Sequence, residues 1–283
     1  MKKDKASQTA KGVAAVALAL SKDRLRSALI SEAYADQIAE MMRTSGAMSG
    51  LSVALFRNAF TAWLLRTWLN KWMPGQYEAI GRRKRFFEEQ AREAISAGAS
   101  QLLVLGAGYD LLCLRLASEH PDVRFLEIDH PATSKLKQRG MKKMGASSHV
   151  QLLAEDLAER PLKEVLEARQ DWNTEAMSFV SAEGLTQYLP ESAVRGLLQM
   201  LDQSTGARSV LAFTFVGWRE AEGRPEAGPF TARMLEDFEK RGEPWLWGCD
   251  PDKLTDFLAS SSWQITVEPE PAGMDNLTCV QKP

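Results

Sequence analysis

The stretch Gln101-Leu-Leu-Val-Leu-Gly-Ala-Gly-Tyr-Asp110 constrains this chain more than any other. Five residues, four of them large and apolar, run straight into Gly106 and Gly108, and the acid Asp110 follows. An apolar run without alternation suits a strand buried on both faces, as in a parallel sheet. The two glycines allow a sharp turn and let a ligand lie against bare backbone. Leu111 to Glu119 reads as the helix that comes next. Such a strand–glycine turn–helix unit binds the polar part of a nucleotide-like cofactor.

From Leu102 onward the pattern alternates between strand and helix. The expected strands are 102–106, 123–128, 150–154, 177–182 and 208–215, with helices at roughly 110–119, 131–144, 160–169 and 191–203. Strands separated by helices argue for an α/β fold with a parallel, doubly wound sheet. Residues 217–250, rich in Gly, Pro, Glu and Trp, interrupt the pattern with one helical piece at about 230–241. A helix at 251–261 follows. Trp263 to Val267 and Asn276 to Val280 then close the chain as two strands across the turn Pro269–Gly273, which is short enough to make them antiparallel.

Before the sheet, residues 12–75 read as helices, with one at Arg24 to Met42 and another at Leu51 to Met73. The second brings Phe60, Trp63, Leu64, Trp68 and Trp72 near one another. Its aromatic surface suits a cap over an apolar substrate, a second subunit or a membrane, but packing onto the body of the same chain is the expectation. Tyr77 to Ala97 forms a further helix that starts with Arg82-Arg83-Lys84-Arg85. At 283 residues, the chain divides into a helical cap or lid at 1–75 and a body at 76–283, with a lid insertion at about 217–250.

Charge is uneven along the chain. Residues 1–85 hold fifteen Lys/Arg against six acids, a surplus of nine that leaves −11 for the rest within a net charge of −2. A basic start could favour an anionic acceptor, though a solvated helical face accounts for it more simply. Cys113, Cys249 and Cys279 have neither metal-ligand spacing nor an even disulfide count, which points to a reducing cytoplasm. Val13 to Leu20 after Met-Lys-Lys has something of a signal peptide, yet its long polar lead and missing cleavage site favour an ordinary helix. No run reaches membrane-spanning length.

Several residues in the expected loops suit chemistry. A dinucleotide site wants G-x-G-x-x-G, whereas the third position here is Leu111 or Leu112. That weakens the case for a nicotinamide-dependent oxidoreductase, which stays as the alternative beside a non-catalytic cofactor-binding module. Two glycines plus Asp129 at the next strand end suit an adenosine without pyrophosphate, with Asp129 accepting the ribose hydroxyls. Asp156 can accept from an adenine amino group with Leu157 against the ring, or simply cap the next helix. Glu183, an acid beside an apolar strand at the switch point, reads as functional. No nucleophile elbow and no nucleic-acid base methyltransferase motif follows the fourth strand. Three histidines without metal spacing suggest no metal site.

Taken together, Leu105-Gly-Ala-Gly-Tyr-Asp110, Glu127-Ile-Asp-His-Pro131, Glu155-Asp-Leu157 and Glu183-Gly-Leu-Thr-Gln-Tyr-Leu-Pro190 resemble the leucine carboxyl methyltransferase family. The resemblance runs from about residue 75 to the end and takes in Gly242-Glu-Pro and Asp250-Pro-Asp-Lys-Leu. It implies a class I methyltransferase fold: a Rossmann-like seven-stranded sheet, mostly parallel with one antiparallel strand, plus the N-terminal helical cap. The implied activity is that of the family's bacterial O-methyltransferases, with S-adenosyl-L-methionine as cofactor and a small, hydrophobic acceptor. It also implies roles. Arg83, with Arg82 and Arg85 close enough to be confused with it, would bind the cofactor's methionine carboxylate, which a guanidinium fork pairs bidentately. The turn Gly106, Ala107 and Gly108 would meet the cofactor's amino-acid part, Asp129 the ribose, and Asp156 with Leu157 the adenine. His130, where relatives carry other residues, would touch the adenine or serve only as a loop residue. Glu183 would lie near the methionine end, and Tyr188 near the acceptor; these two are the candidates to shape or polarise the reacting site. Relatives usually follow the glycines with Asp-Thr-Arg-Ala-Tyr-Arg-Leu, so Asp110-Leu-Leu-Cys-Leu-Arg-Leu implies an apolar crevice edge.

Overall fold

The computed structural model describes residues 6–145, 149–157, 159–219, 224–225 and 229–283. Helices α1 (Gln8–Leu20), α2 (Glu32–Ser45), α3 (Gly50–Phe56) and α4 (Ala59–Trp72) form the cap, and α5 (Gln76–Ser96) leads into the body. The body then runs β1 (Gln101–Leu105), α6 (Leu112–Ala117), β2 (Arg124–Asp129), α7 (Pro131–Lys143), β3 (Val150–Ala154), α8 (Leu162–Glu167), β4 (Ser178–Ala182), α9 (Glu191–Ser204) and β5 (Val210–Val216). The small pair β6 (Trp218–Arg219) and β7 (Arg224–Pro225) precedes α10 (Pro229–Arg241), α11 (Leu254–Leu258), β8 (Gln264–Ala272) and β9 (Asp275–Gln281). Part of the 217–250 insertion, residues 220–223 and 226–228, lies outside the described residues, as do residues 1–5.

Seven strands make one sheet in the order β3-β2-β1-β4-β5-β9-β8. The first five are parallel, and β9 runs against both its neighbours. β1 shows why its sequence lacks alternation: Leu102 and Val104 enter one buried cluster, and Leu103 and Leu105 enter the other. Successive side chains on a strand point to opposite faces, so a strand covered twice is apolar throughout. The chain leaves β1 toward β2 and β3, then returns to β4 and β5. The crevice outside the carboxyl ends of β1 and β4 is therefore the switch point, where ligands of open α/β sheets bind.

One of the two clusters continues from the sheet into the cap. It includes Leu18, Ile38 and Met41 together with Leu102 and Phe125. α1 is buried from Ala14 to Leu20, as an ordinary core helix is. At Gly140 on α7 a Cβ would stand 2.5 Å from Met41 Sδ, so the missing side chain lets α2 lie against α7.

Four expectations about elements need correction. The helix expected at 24–42 is a short 3-10 turn at Ser27–Leu29 and then α2, because Ser31 caps the Tyr34 N–H at 3.2 Å and starts a new helix. The helix expected at 51–73 breaks in the same way at Asn58, whose side chain accepts from Phe60 N at 2.9 Å. β8 runs through Pro269 and Pro271 to Ala272, so the turn is at Gly273 and Met274. Prolines are tolerated there because β8 is an edge strand and its register is already irregular. Finally, the aromatic face of α4 does not pack onto the body: Phe60 is 68% exposed, and Trp63 and Trp68 are each about half exposed.

Candidate functional site

The turn after β1 needs both glycines. Gly106 has φ +67° and Gly108 φ +49°, backbone that L side chains rarely adopt. A Cβ on Gly106 would press on Leu185 at 3.2 Å, and one on Gly108 would press on Ala10 of α1 at 3.3 Å. The N–H groups of Gly106 and Ala107 donate to Ile128 O at 2.9 and 3.3 Å, so they face β2 rather than the crevice. Gly108 N donates to Asp129 Oδ2 at 2.7 Å.

Asp129 ends β2, and its other oxygen accepts from His130 N at 2.6 Å. Burial raises the Asp129 pKa, and these two N–H groups oppose the rise. Each carboxylate oxygen keeps a lone pair for a further donor. His130 caps α7, its Nδ1 accepting from Ala132 N at 3.2 Å, which leaves the proton on Nε2. That nitrogen lies 3.5 Å from Asp156 Oδ2. Leu157 is half-buried against the second cluster. The structure thus gathers Gly106, Ala107, Gly108, Asp129, His130, Asp156 and Leu157 at the carboxyl ends of β1, β2 and β3.

A second group stands at the ends of β1 and β4. Of the three neighbouring arginines on α5, Arg83 alone is buried; Arg82 and Arg85 are exposed. Arg83 donates through Nε and Nη2 to Glu183 Oε1 at 3.1 and 3.0 Å, and through Nη1 to Asp275 Oδ2 at 2.8 Å. Lys84 Nζ donates to Glu183 Oε2 at 3.0 Å and to Asp110. Burial alone would lower the pKa of both cations, but the surrounding carboxylates outweigh it and hold both above their usual ranges. Two cations thus face three carboxylates, a mixed set that suits an ammonium and a carboxylate on one ligand.

Sequence reading missed Lys84 and Asp275 as members of this site. Tyr109 follows the glycine turn at 2% exposure, and its hydroxyl has no hydrogen-bond partner among the described residues. Burial, with the Asp129 charge adding to it, pushes this hydroxyl up to about 12. A buried hydroxyl without a partner costs on the order of 1–3 kcal/mol, so a ligand group that met it would relieve a real deficit. Of the apolar positions after Asp110, Leu111, Cys113 and Leu116 are buried in the core, while Leu112 lines a small cavity with Asp110 and Glu183.

Tyr188 is half-buried in the loop after β4, within electrostatic reach of Asp275 and Glu243. Burial raises its hydroxyl pKa, which holds it protonated at neutral pH. Nearby, Leu246 N donates to Gln187 O at 2.6 Å, and Thr9 Oγ1 on α1 donates to Glu243 Oε2 at 2.5 Å. A cleft of about 410 Å3 opens between the Ala28–Tyr34 stretch and α5. Tyr34, Lys84, Glu88 and Arg115 line both this cleft and a small inner cavity that also reaches Asp110 and Glu183. Among the described residues no group of three His, Cys, Asp or Glu is placed to hold a metal ion.

A relative from Mycobacterium avium (strain 104), described as an S-adenosyl-L-methionine-dependent methyltransferase, is 28% identical over 187 residues, or 65% of this chain and 62% of its own. A second, from Mycobacterium marinum and described in the same words, is 29% identical over 197 residues, with 66% of this chain and 62% of its own covered. The chain matches less than two thirds of the length of either. A solved methyltransferase structure from Thermobifida fusca superimposes with a TM-score of 0.57 at 15% identity, covering 87% of this chain and 94% of that one. At that identity the likeness is one of fold, and the fold is that of class I methyltransferases. The family model of leucine carboxyl methyltransferase matches residues 10–202, which takes in most of the cap and stops short of Gly242-Glu-Pro and Asp250-Pro-Asp. By that match the chain belongs to the leucine carboxyl methyltransferase family.

Proposed function

We propose that the chain is an S-adenosyl-L-methionine-dependent O-methyltransferase acting on a small, largely apolar acceptor. The observation that carries this reading is the pairing of two unlike groups on one sheet edge: hydrogen-bond acceptors for an adenosine, and buried mixed charges for an amino acid. When bound, the cofactor supplies a methyl group already activated on a sulfonium. In this reading Asp129 accepts the ribose hydroxyls, Asp156 and Leu157 take the adenine, and His130 holds Asp156 in place. Arg83 pairs the methionine carboxylate, while Glu183 and Asp110 face the ammonium. The unpartnered Tyr109 hydroxyl suits a polar group of the same ligand.

Residues 1–75 then act as a cap on the 76–283 body, with the 217–250 insertion as part of a lid. The bond from Thr9 to Glu243 supports this, since it ties the cap to the insertion beside Tyr188. Closing the crevice excludes water and holds the acceptor oxygen in line at about 3 Å, which is worth several kcal/mol. The acceptor enters by the cleft, whose inner wall carries Lys84 and Arg115. Two arginines there, Arg92 and Arg115, share the Glu88 carboxylate at 2.9 and 3.0 Å. The buried Nε of Arg115 has no hydrogen-bond partner among the described residues. That surplus of donors favours a carboxylate acceptor over an alcohol. A carboxylate is ionised at neutral pH and needs no base, in keeping with a protonated Tyr188.

Calorimetric titration with S-adenosylmethionine, S-adenosylhomocysteine and NAD tests the cofactor. The first two should bind, and Asp129→Ala should weaken them about 100-fold, as the loss of charge-assisted hydrogen bonds worth about 3 kcal/mol requires. Binding of NAD alone would overturn the reading. For the acceptor, methyl transfer should have a rate nearly flat from about pH 6 to 9, because an acid of ordinary pKa does not titrate there. A rate that climbs with the ionisation of a phenol would point to hydroxyl methylation instead.

A further inference from the structure

The exposed face of α4 is the largest feature that the methyl-transfer reading leaves unused. Phe60, Trp63, Leu64 and Trp68 follow the i, i+3, i+4, i+8 spacing of one helix face, and all four are at least half exposed. Ala62 and Leu69 occupy the opposite face and are buried. α3 adds Leu51 at 82% and Leu55 at 57% exposure. Arg66, the one charged residue from Ala59 to Asn70, turns away from this face to pair with the buried Asp23 at 3.1 Å. Among the described residues nothing covers this outer stripe, and an apolar face of this size ordinarily has a cover.

Charge decides between the covers. Residues 1–75, the cap, hold eleven Lys/Arg against five acids, a surplus of six that leaves −8 for the body. A second copy docked symmetrically through α4 would set two basic caps against each other. An anionic phospholipid surface instead attracts the cap and repels the acidic body, which turns α4 toward the lipid. Trp and Phe are side chains that settle at such an interface. No helix among the described residues is long and apolar enough to cross a membrane, which fits a helix lying in the surface plane. We propose that the α3–α4 face seats the protein on an anionic phospholipid surface.

Co-sedimentation with vesicles tests this on the full-length protein, without reference to its catalytic activity. Vesicles of equal parts phosphatidylglycerol and phosphatidylcholine should retain it, with blue-shifted tryptophan emission, and raised salt should weaken retention. The double variant Trp63→Ser/Trp68→Ser should lose at least about tenfold in partition. Its affinity for S-adenosylmethionine should not change, and its thermal midpoint should fall by no more than a few degrees, because each side chain is only about half buried. Failure to bind these vesicles, or equal retention on pure phosphatidylcholine, would overturn the proposal. A concentration-dependent dimer in sedimentation velocity that the double variant abolishes would also overturn it, by assigning the face to a second copy.

Discussion

Arg83→Met is expected to abolish measurable cofactor binding and to lower the thermal midpoint by on the order of 10 °C. Both effects follow from one guanidinium serving two carboxylates. Asp275 is 1% exposed at its side chain, and Arg83 Nη1 is its charged partner at 2.8 Å. Gln76 Nε2 also donates to it at 3.0 Å, but an amide does not neutralise a buried charge. Removing one member of a buried pair costs about 3–5 kcal/mol, because the remaining charge has lost its counterion. Glu183 suffers less, since Lys84 still holds its second oxygen at 3.0 Å. A second substitution separates folding from binding. Arg83→Met/Asp275→Asn removes the orphaned charge and should recover roughly half of the lost stability. Affinity for S-adenosylmethionine should stay at least about 100-fold down, because the fork that pairs its carboxylate is still missing. Recovery of both together would reduce Arg83 to a structural counterion. Differential scanning fluorimetry and calorimetric titration on the same three proteins give the answer.

The residues that sequence reading found and those it missed differ in what places them. Asp129 and the glycine turn were legible because local pattern fixes them: an apolar run, a turn that demands positive φ, an acid at the next strand end. Glu183 was legible for the same reason, as a charge at the end of Ser178–Ala182. Asp275 was not, because it stands at the start of β9 and reaches the site only through the antiparallel register that pairs it with Val216. Lys84 was hidden in a run of four basic residues, where the helix's contact with the body decides which of them turn inward. The motif that yielded Gly106 and Gly108 contains Tyr109 too, but an unsatisfied hydroxyl becomes visible only when its surroundings are known. α4 misled for a related reason. Its large apolar residues fall on both the buried and the outer side, and sequence alone does not say which side meets the core.

Lys137→Met should destabilise the protein by about 3–5 kcal/mol at pH 8 and by much less at pH 5. Lys137 on α7 and Glu127 on β2 are both fully buried, and their charged atoms are 2.6 Å apart. Neither residue lines the crevice, yet Lys137 Nζ lies 3.5 Å from the Ala107 carbonyl, directly behind the glycine turn. Burial raises the Glu127 pKa above its ordinary 4.5, and the neighbouring ammonium limits the rise. An acid whose folded pKa is raised favours the fold below its unfolded value, and that contribution is lost as pH climbs through the folded value. Methionine removes the one cation restraining Glu127, so the folded pKa moves further up and the loss extends to higher pH. The variant's deficit against wild type should therefore widen from pH 5 to pH 8. In Glu127→Gln/Lys137→Met the charge is gone, so the deficit should no longer widen with pH; it should narrow from pH 5 to pH 8, because only the wild type loses the contribution of a raised Glu127 as pH climbs. The turn gives the second readout. Without the ammonium behind Ala107, the geometry from Gly106 to Gly108 loosens, and S-adenosylmethionine affinity should fall about tenfold in the single and double variants alike. A double variant that regains stability but not affinity would make the pair a support for the cofactor turn. One that regains both would leave Lys137 as nothing more than the counterion Glu127 requires.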